Sequence, residues 1–599
     1  MEAIIKNGSH SLALVHYCPK TSASFIRARC LSFSKNSFPK KMVVVATRAT
    51  PSISDHEATN RPLFQFPPSL LDDRFLSLSK NDSEMESLGR NIEVLKARVS
   101  DKLVCLDAKG KIHLIHMLVS LGVAYHFEKQ IEEFLKDAFE KVENITIGEE
   151  DIYSISVIFR VFRLYGHKLS SDVFNRFKEE NGDFKKCLID DVRGILSFYE
   201  ASHFGTNTEE ILDEAMQFTH KHLELYVGGG TNADNEAHIS ELIRNVLYLS
   251  QQENAEVIVA REYIRFYEQE PHHDEMLLKF AKLNFKFMQL HYMQELQTVV
   301  RWWKELDLES KIPNYYRERV VECLFWATVV YMEPQYSTAR IILAKCIVFL
   351  TILDDVYDAY CTLPEAIGFT ESLERWEADA VDMLPDHLKV FLRSLIDFFQ
   401  DLEGEVKSEG RLYNVQYAID EIKRLFRADL ALAKWARTGY TPNFDEYMEV
   451  GLVTGGVDCT AAVAFIGMGE IAGKEVYDWL RSRPKLIQTL DLKSRFRDDV
   501  VTYKDEMARG EIATGINCYM KQYGVTEEEA FLDFDRKVKH ASKLMNEEYL
   551  KTNMPLKIAR VAFNIGRLID VNYKHGDGFT YMEMLQGQIN SLFIDLITI

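Results

Sequence analysis

A chain of 599 residues with 71 Lys and Arg against 91 Asp and Glu, a formal charge of -20, lacks the clustered positive surface that gives phosphate backbones their affinity, which excludes nucleic acid as a partner. Its length exceeds one ordinary domain and calls for two folded units. A hydrophobic share of 47% with only 14 prolines and 29 glycines argues against a turn-rich β architecture and for long helices.

The first fifty residues differ from the rest, with eight Lys or Arg, one Glu and seven Ser. Basic, serine-rich and acid-poor composition at an N-terminus is that of an organelle transit peptide, expected over residues 1–55. From about residue 85 the apolar spacing becomes helical, as in IEVLKARVSDKLV and IHLIHMLVSLGVAYHF, with polar residues on the opposite faces. Breaks fall at NGD (181–183), GGGTNAD (228–234) and EQEPHHDE (268–275). The last is polar and contains Pro, and it predicts two helical domains, 61–270 and 271–599. All six tryptophans lie in the second. The nine cysteines form no CxxC pair and read as reduced thiols. No apolar run reaches the roughly 18 residues that span a bilayer, the stretch 346–353 being bounded by Lys345 and Asp354, so no membrane span is expected.

Candidate chemistry concentrates in the second half. Residues 347–358, IVFLTILDDVYD, run from an apolar helix into Asp354, Asp355 and Asp358. On a helix, positions 354 and 358 stack on one face with 355 beside them, where two carboxylates can share a cation. In DLKSRFRDDVVTYKDEMARGE (491–511), Asp498, Thr502 and Glu506 recur at i, i+4 and i+8, with Arg495 one turn earlier. Oxygen donors without His or Cys suit a hard cation such as Mg²⁺, which keeps waters and takes substrate phosphates as further ligands. Two such faces would hold a diphosphate between them at the mouth of an apolar cavity. Arg317 and Arg319 in YYRERVVECLFW are suited to its oxygens.

In the order RWWKELDL, RERVVECLFW, DDVYD and DDVVTYKDE, the chain from about residue 61 onward resembles a plant terpene synthase. DDVYD matches that family's DDxxD, and DDVVTYKDE its second metal motif with Thr in the Ser place. The resemblance implies an all-α fold: an N-terminal helical domain and a C-terminal catalytic barrel of helices. It also implies three Mg²⁺ ions, for which Mn²⁺ can substitute, held by Asp354, Asp355, Asp358, Asp498, Thr502 and Glu506. Arg317, Arg319 and Arg495 would take the departing diphosphate, and Trp326, Tyr573 and Asp577 would belong to the catalytic pocket. For the two rings, core packing is the competing reading. Thr454, Gly455 and Gly456, in the segment matching the family's broken pocket helix, would border the substrate. The glycines either make room for a long prenyl chain or simply kink the helix.

The N-terminal half has LIDDVRG but no DxDD, so the reaction is expected to start by ionisation of a linear prenyl diphosphate. Arg61 followed by Pro62, and Leu71 in place of the family's usual Trp, lie nearer the sesquiterpene type. Combined with a transit peptide, they resemble plastid members acting on C20 or C25 diphosphates; the alternative is farnesyl diphosphate. An inactive helical scaffold is the reading from another class, and a prenyl-chain elongating transferase would show two DDxxD motifs. A monomer in the plastid is expected.

Overall fold

The computed structural model describes residues 66, 82–229, 237–377 and 379–599. The expected transit segment 1–55, and Arg61, Pro62 and Leu71, lie outside the described residues. The fold is all-α, as expected; among the described residues the sole β pairing is an isolated bridge between Lys178 and Phe184. That bridge closes the NGD break, where Gly182 adopts φ 89°.

In the first half, periodicity decides which face turns inward. Helix Asp82–Cys105 buries Leu88, Ile92, Leu95, Val99 and Leu103, a three- and four-residue stripe, against the 32-residue helix Glu275–Leu306. Aspartates start several helices by accepting from orphan amides: Asp107 from Gly110, and Asp151 from Tyr153 and Ser154. LIDDVRG has the same local duty, since Asp191 caps helix Val192–Ser202 through the Gly194 amide at 2.9 Å.

At EQEPHHDE one helix ends at Glu268 and the next begins at Glu275, capped by Asp274. The buried apolar core nevertheless continues across this break, and polar side chains fasten the two sides. Asn546 donates to the carbonyls of His203 and Gly205 at 2.8 and 3.0 Å and accepts from Gln252. Tyr549 donates to the Leu164 carbonyl at 2.8 Å, and Lys574 pairs with Glu253 at 2.5 Å.

In the second half, helix Val320–Val330 is apolar apart from Glu322 and Thr328 and wholly buried, as so apolar a helix must be in water. Beside it, Pro334–Tyr360 is 27 residues long with mean hydropathy 1.7, long and apolar enough to cross a membrane by length and composition. That departs from the expectation of no such stretch. Here 67% of the apolar window is buried inside the protein, and Arg340 within it is paired with Glu295 at 2.7 Å. It is a core helix. The seven described cysteines are free thiols, five of them buried.

Candidate active site

Helix Ser337–Asp355 is followed by a π-helical turn, Val356–Tyr360, closed by the Cys361 amide donating to the Val356 carbonyl at 2.9 Å. The wider turn departs from the expected uniform α spacing, because Asp354 stands in the α-helix and Asp358 in the π segment. π turns are single-turn events, frequent at functional sites. This one is held from outside: Arg437 donates to the carbonyls of Tyr357 and Cys361 at 2.5 and 2.9 Å, and the Tyr357 hydroxyl meets Thr370 at 2.7 Å.

The three aspartates divide. Asp355 is completely buried, and both its oxygens are taken by Arg317, from the backbone amide at 2.6 Å and from Nε at 2.9 Å. Burial pushes its carboxyl up to about 6 despite the opposing guanidinium. Its oxygens are thus engaged by Arg317. Asp354 also pairs with Arg317, at 2.5 Å, but is partly exposed. Asp358 borders the cavity, and its position among packed groups, followed by the charges of Asp354 and Glu511, raises its carboxyl well above the ordinary range. Arg319 is absent from the cavity wall among the described residues, and it donates to the carbonyls of Glu318 and Thr580 at 3.0 and 3.1 Å.

The second face lies on helix Lys485–Arg509. Asp498, Thr502 and Glu506 line one side of it, the Thr502 hydroxyl donating to Glu506 at 2.9 Å. Arg495 bonds Asp498, reaches Asp499 at 3.0 Å and donates to Thr454 Oγ1 at 3.3 Å. Asp499 turns into the core and accepts from the Tyr447 hydroxyl at 2.5 Å. Burial raises Asp498 to about 6. Burial followed by the Asp498 and Asp499 charges raises Glu506 to about 8. Asp354 contributes to the charge felt at Asp498, so the two faces address the same space. Among the described residues no three metal-ligating side chains already form a closed cage. Separated, oxygen-only faces fit hard cations that complete their shells with water and phosphate oxygens.

Between the faces lies a cavity of about 360 Å³, of the size that holds small molecules. Apart from Phe66, its described wall comes entirely from residue 317 onward. Ile347, Leu350, Leu425, Leu568 and Ile569 make it apolar. Trp326 stacks on Phe579 at 5.0 Å and 11°, and the Arg317 guanidinium sits 4.5 Å from the Phe579 ring centre. Tyr573 lines the wall; burial, then Asp498 and Asp577, raise its hydroxyl well above the usual value. Asp577 also borders the cavity and holds the loop at its rim by accepting from the amides of Phe579 and Thr580 at 2.9 and 3.0 Å.

Thr454, Gly455 and Gly456 all reach the wall, between helices Phe444–Thr454 and Val457–Ala464. A side chain on Gly455, however, would start 3.3 Å from Ser494 Oγ, so this glycine permits close helix approach. Gly456 adopts φ 66°, a left-handed conformation that L side chains resist. The helix break is what requires it. Of the two readings of these glycines, the helix break is the one that the φ of Gly456 favours.

Asp429 did not emerge from the sequence. It is 5% exposed, lies in the cavity wall on helix Leu412–Thr438 and is raised well above its ordinary range by burial and then by Asp354 and Asp358. Its signal is an acid in the otherwise apolar face at 425, 426, 429, 432 and 436, all of which line the cavity. Arg509 and Glu511, paired at 2.7 Å, and Asp505, which accepts from the Tyr581 hydroxyl at 2.8 Å, also border the cavity.

The family model described as "Terpene synthase family, metal binding domain" matches residues 304–544, and "Terpene synthase, N-terminal domain" matches 70–247. A bifunctional dolabella-3,7-dien-18-ol synthase/dolathalia-3,7,11-triene synthase of Arabidopsis thaliana, named as chloroplastic, is 75% identical over 100% of both chains. An inactive terpenoid synthase of the same plant, also named as chloroplastic, is 72% identical over 100% of both. Isoprene synthase from grey poplar leaves, solved with three Mg²⁺ ions and dimethylallyl-S-thiolodiphosphate, superposes with a TM-score of 0.79 at 28% identity, covering 86% of this chain and 98% of that one.

Proposed function

The chain belongs to the terpene synthase family, and we propose that it is an active class I member that ionises geranylgeranyl diphosphate, a C20 substrate, and closes the cation into a cyclic terpene in the plastid. One observation carries this reading: two acidic faces, each with an arginine, line the same cavity as a set of apolar and aromatic side chains. A polar leaving group and an oily chain require that combination.

In this reading Asp354 and Asp358 on one face, and Asp498, Thr502 and Glu506 on the other, hold Mg²⁺ ions. Three ions are expected by likeness to the poplar enzyme, and Mn²⁺ is expected to substitute. When bound, the ions supply Lewis-acid stabilisation of the charge gathering on diphosphate. Arg317 exchanges Asp354 for diphosphate oxygens while keeping Asp355, and Arg495 exchanges Asp498 for them from the opposite side. Asp355 orients Arg317, and Arg319 secures the Phe579–Thr580 loop over the mouth. As the allylic C–O bond breaks, Trp326, Phe579 and Tyr573 offer ring faces to the cation, and the apolar wall keeps bulk water out. Residues 271–599 form the catalytic domain in this proposal and 61–270 a helical domain that supports it. The location of nearly all the described wall beyond residue 316 supports that division.

The C20 choice rests on the relative at 75% identity, named for dolabellane and dolathaliane products, which are C20 skeletons. The plastid address rests on the basic, serine-rich N-terminus together with the two chloroplastic relatives. The relative named inactive at 72% identity gives a second reading, a fold without turnover. Complete metal faces in this chain favour activity.

Incubating residues 56–599 with C10, C15, C20 and C25 diphosphates and Mg²⁺ tests the proposal. Diphosphate release with cyclic C20 products is expected. Preference for the C15 substrate would move the reading to a sesquiterpene synthase, and no release from any substrate would establish the inactive one.

A further inference from the structure

Helix Leu556–Tyr573 turns one face to the cavity. Ile565, Leu568 and Ile569 line it at three- and four-residue intervals, and the next position on that face is Asn572, also in the wall. An amide there interrupts an otherwise apolar stripe. Asn572 is 8% exposed, and its side-chain oxygen is buried without a hydrogen-bond partner among the described residues. A buried polar group left unpaired costs stability, so it calls for a reason. Packing supplies none, because a branched apolar side chain would continue the stripe and cost less.

We propose that Asn572 holds the water molecule that quenches the final carbocation, and that it thereby sets the proportion of alcohol to hydrocarbon among the products. This rests on the ionisation reading above. The amide can offer the lumen its NH₂ or, after a half-turn about its last bond, its carbonyl oxygen, and either holds a water. A retained water needs two or more polar partners. Thr460 and Ser494, both in the wall, carry the hydroxyls that can complete its shell. On the same helix face Ile565, Leu568 and Ile569 offer a water no partner, which localises hydration on that face to Asn572.

The chemistry balances without an oxidant. A water lone pair forms a C–O bond to the cationic carbon, and the oxonium proton passes to an oxygen of the diphosphate already released in the cavity, leaving an alcohol. Where no water is held, the cation instead loses a proton from the adjacent carbon to the same diphosphate, and the C–H electron pair becomes the double bond of a hydrocarbon. Asn572 touches neither the metal faces nor the breaking C–O bond in this scheme. It is a specificity-determining residue.

The test uses the full chain with geranylgeranyl diphosphate and Mg²⁺ in ¹⁸O-water, comparing wild type, Asn572→Leu and Asn572→Ser. Its readout is the ratio of alcohol to hydrocarbon, which does not depend on how much active protein each preparation contains. Wild type should place ¹⁸O in its alcohol, and Asn572→Leu should lower the ratio at least about tenfold, since a site that must hydrogen-bond discriminates strongly once the bond is gone. Asn572→Ser, which keeps a polar group, should stay within about threefold of wild type. A ratio in Asn572→Leu within about twofold of wild type would overturn the proposal, as would diphosphate release by wild type without any oxygenated product. Failure of wild type to release diphosphate from any chain length would overturn the ionisation reading itself, a result separable from the other two.

Discussion

Asp354 and Asp355 share one arginine, and substitution should separate their duties. Asp354→Asn removes a carboxylate that faces the cavity, and turnover should fall at least about a hundredfold, because such electrostatic contributions are worth several kcal/mol. Asp355→Asn leaves a buried guanidinium without its main partner and should cost about 3–5 kcal/mol of stability, the usual consequence of breaking a buried pair from one side. Diphosphate release and urea unfolding of both variants read the two effects; equal loss of stability would remove the distinction. Asp498, Thr502 and Glu506 were legible as one face because they recur at regular helical spacing, and Asp354 and Asp358 because an acidic cluster ends an apolar helix. The sequence could not reveal that Asp355 and Arg317, 38 positions apart, neutralise each other, or that Arg319 serves backbone carbonyls. Those facts depend on how separate helices pack.

At the scale of the element, both departures from regular helix lie at the site. In the glycine break, Gly456→Ala should cost about 1–2 kcal/mol, the ordinary penalty of placing an L side chain in the left-handed region. Gly455→Phe should strike Ser494 and lower kcat/KM for C15 and C20 diphosphates alike; a selective loss on C20 would show that this position limits chain length after all. In the π turn, one residue beyond α spacing is accommodated between Val356 and Cys361. Hydrophobic periodicity cannot predict such a turn, because Val356, Tyr357 and Ala359 are buried with it and would suit an α-helix equally. The carbonyls that the wider turn leaves over are satisfied by Arg437, a residue far along the chain.

At the scale of the whole molecule, the raised acids make stability depend on pH. Glu506 ordinarily titrates at 4.5 and is pushed up to about 8 in the fold, so the folded state binds more protons than the unfolded chain between those values. Its contribution is complete below 4.5 and disappears as pH rises through about 8. The melting temperature of the metal-free protein should therefore fall across this window, less steeply in Glu506→Gln or with Mg²⁺ and inorganic pyrophosphate present. A flat profile for the wild type would refute the assignment. Composition and periodicity made the all-α class and the break before Glu275 legible. They did not reveal the shared core across that break, since apolar faces in either half look alike whatever they pack against. Asn546→Ala would strip partners from His203, Gly205 and Gln252 and should cost about 1–3 kcal/mol, measured by chemical unfolding.

That seam also bears on the cavity wall. Immediately after Asn572 and Tyr573, Lys574 is tied to Glu253, and His575 reaches the Tyr248 carbonyl at 2.6 Å while its ring stacks on Tyr248 at 3.9 Å. The end of a cavity-lining helix is thus anchored in the half that supplies almost none of the described wall. An exchange at position 253 would remove the ion pair, and one at 248 the ring stacking, that hold this helix end. Variation in the N-terminal half can therefore act on the cavity while every residue that lines it stays the same.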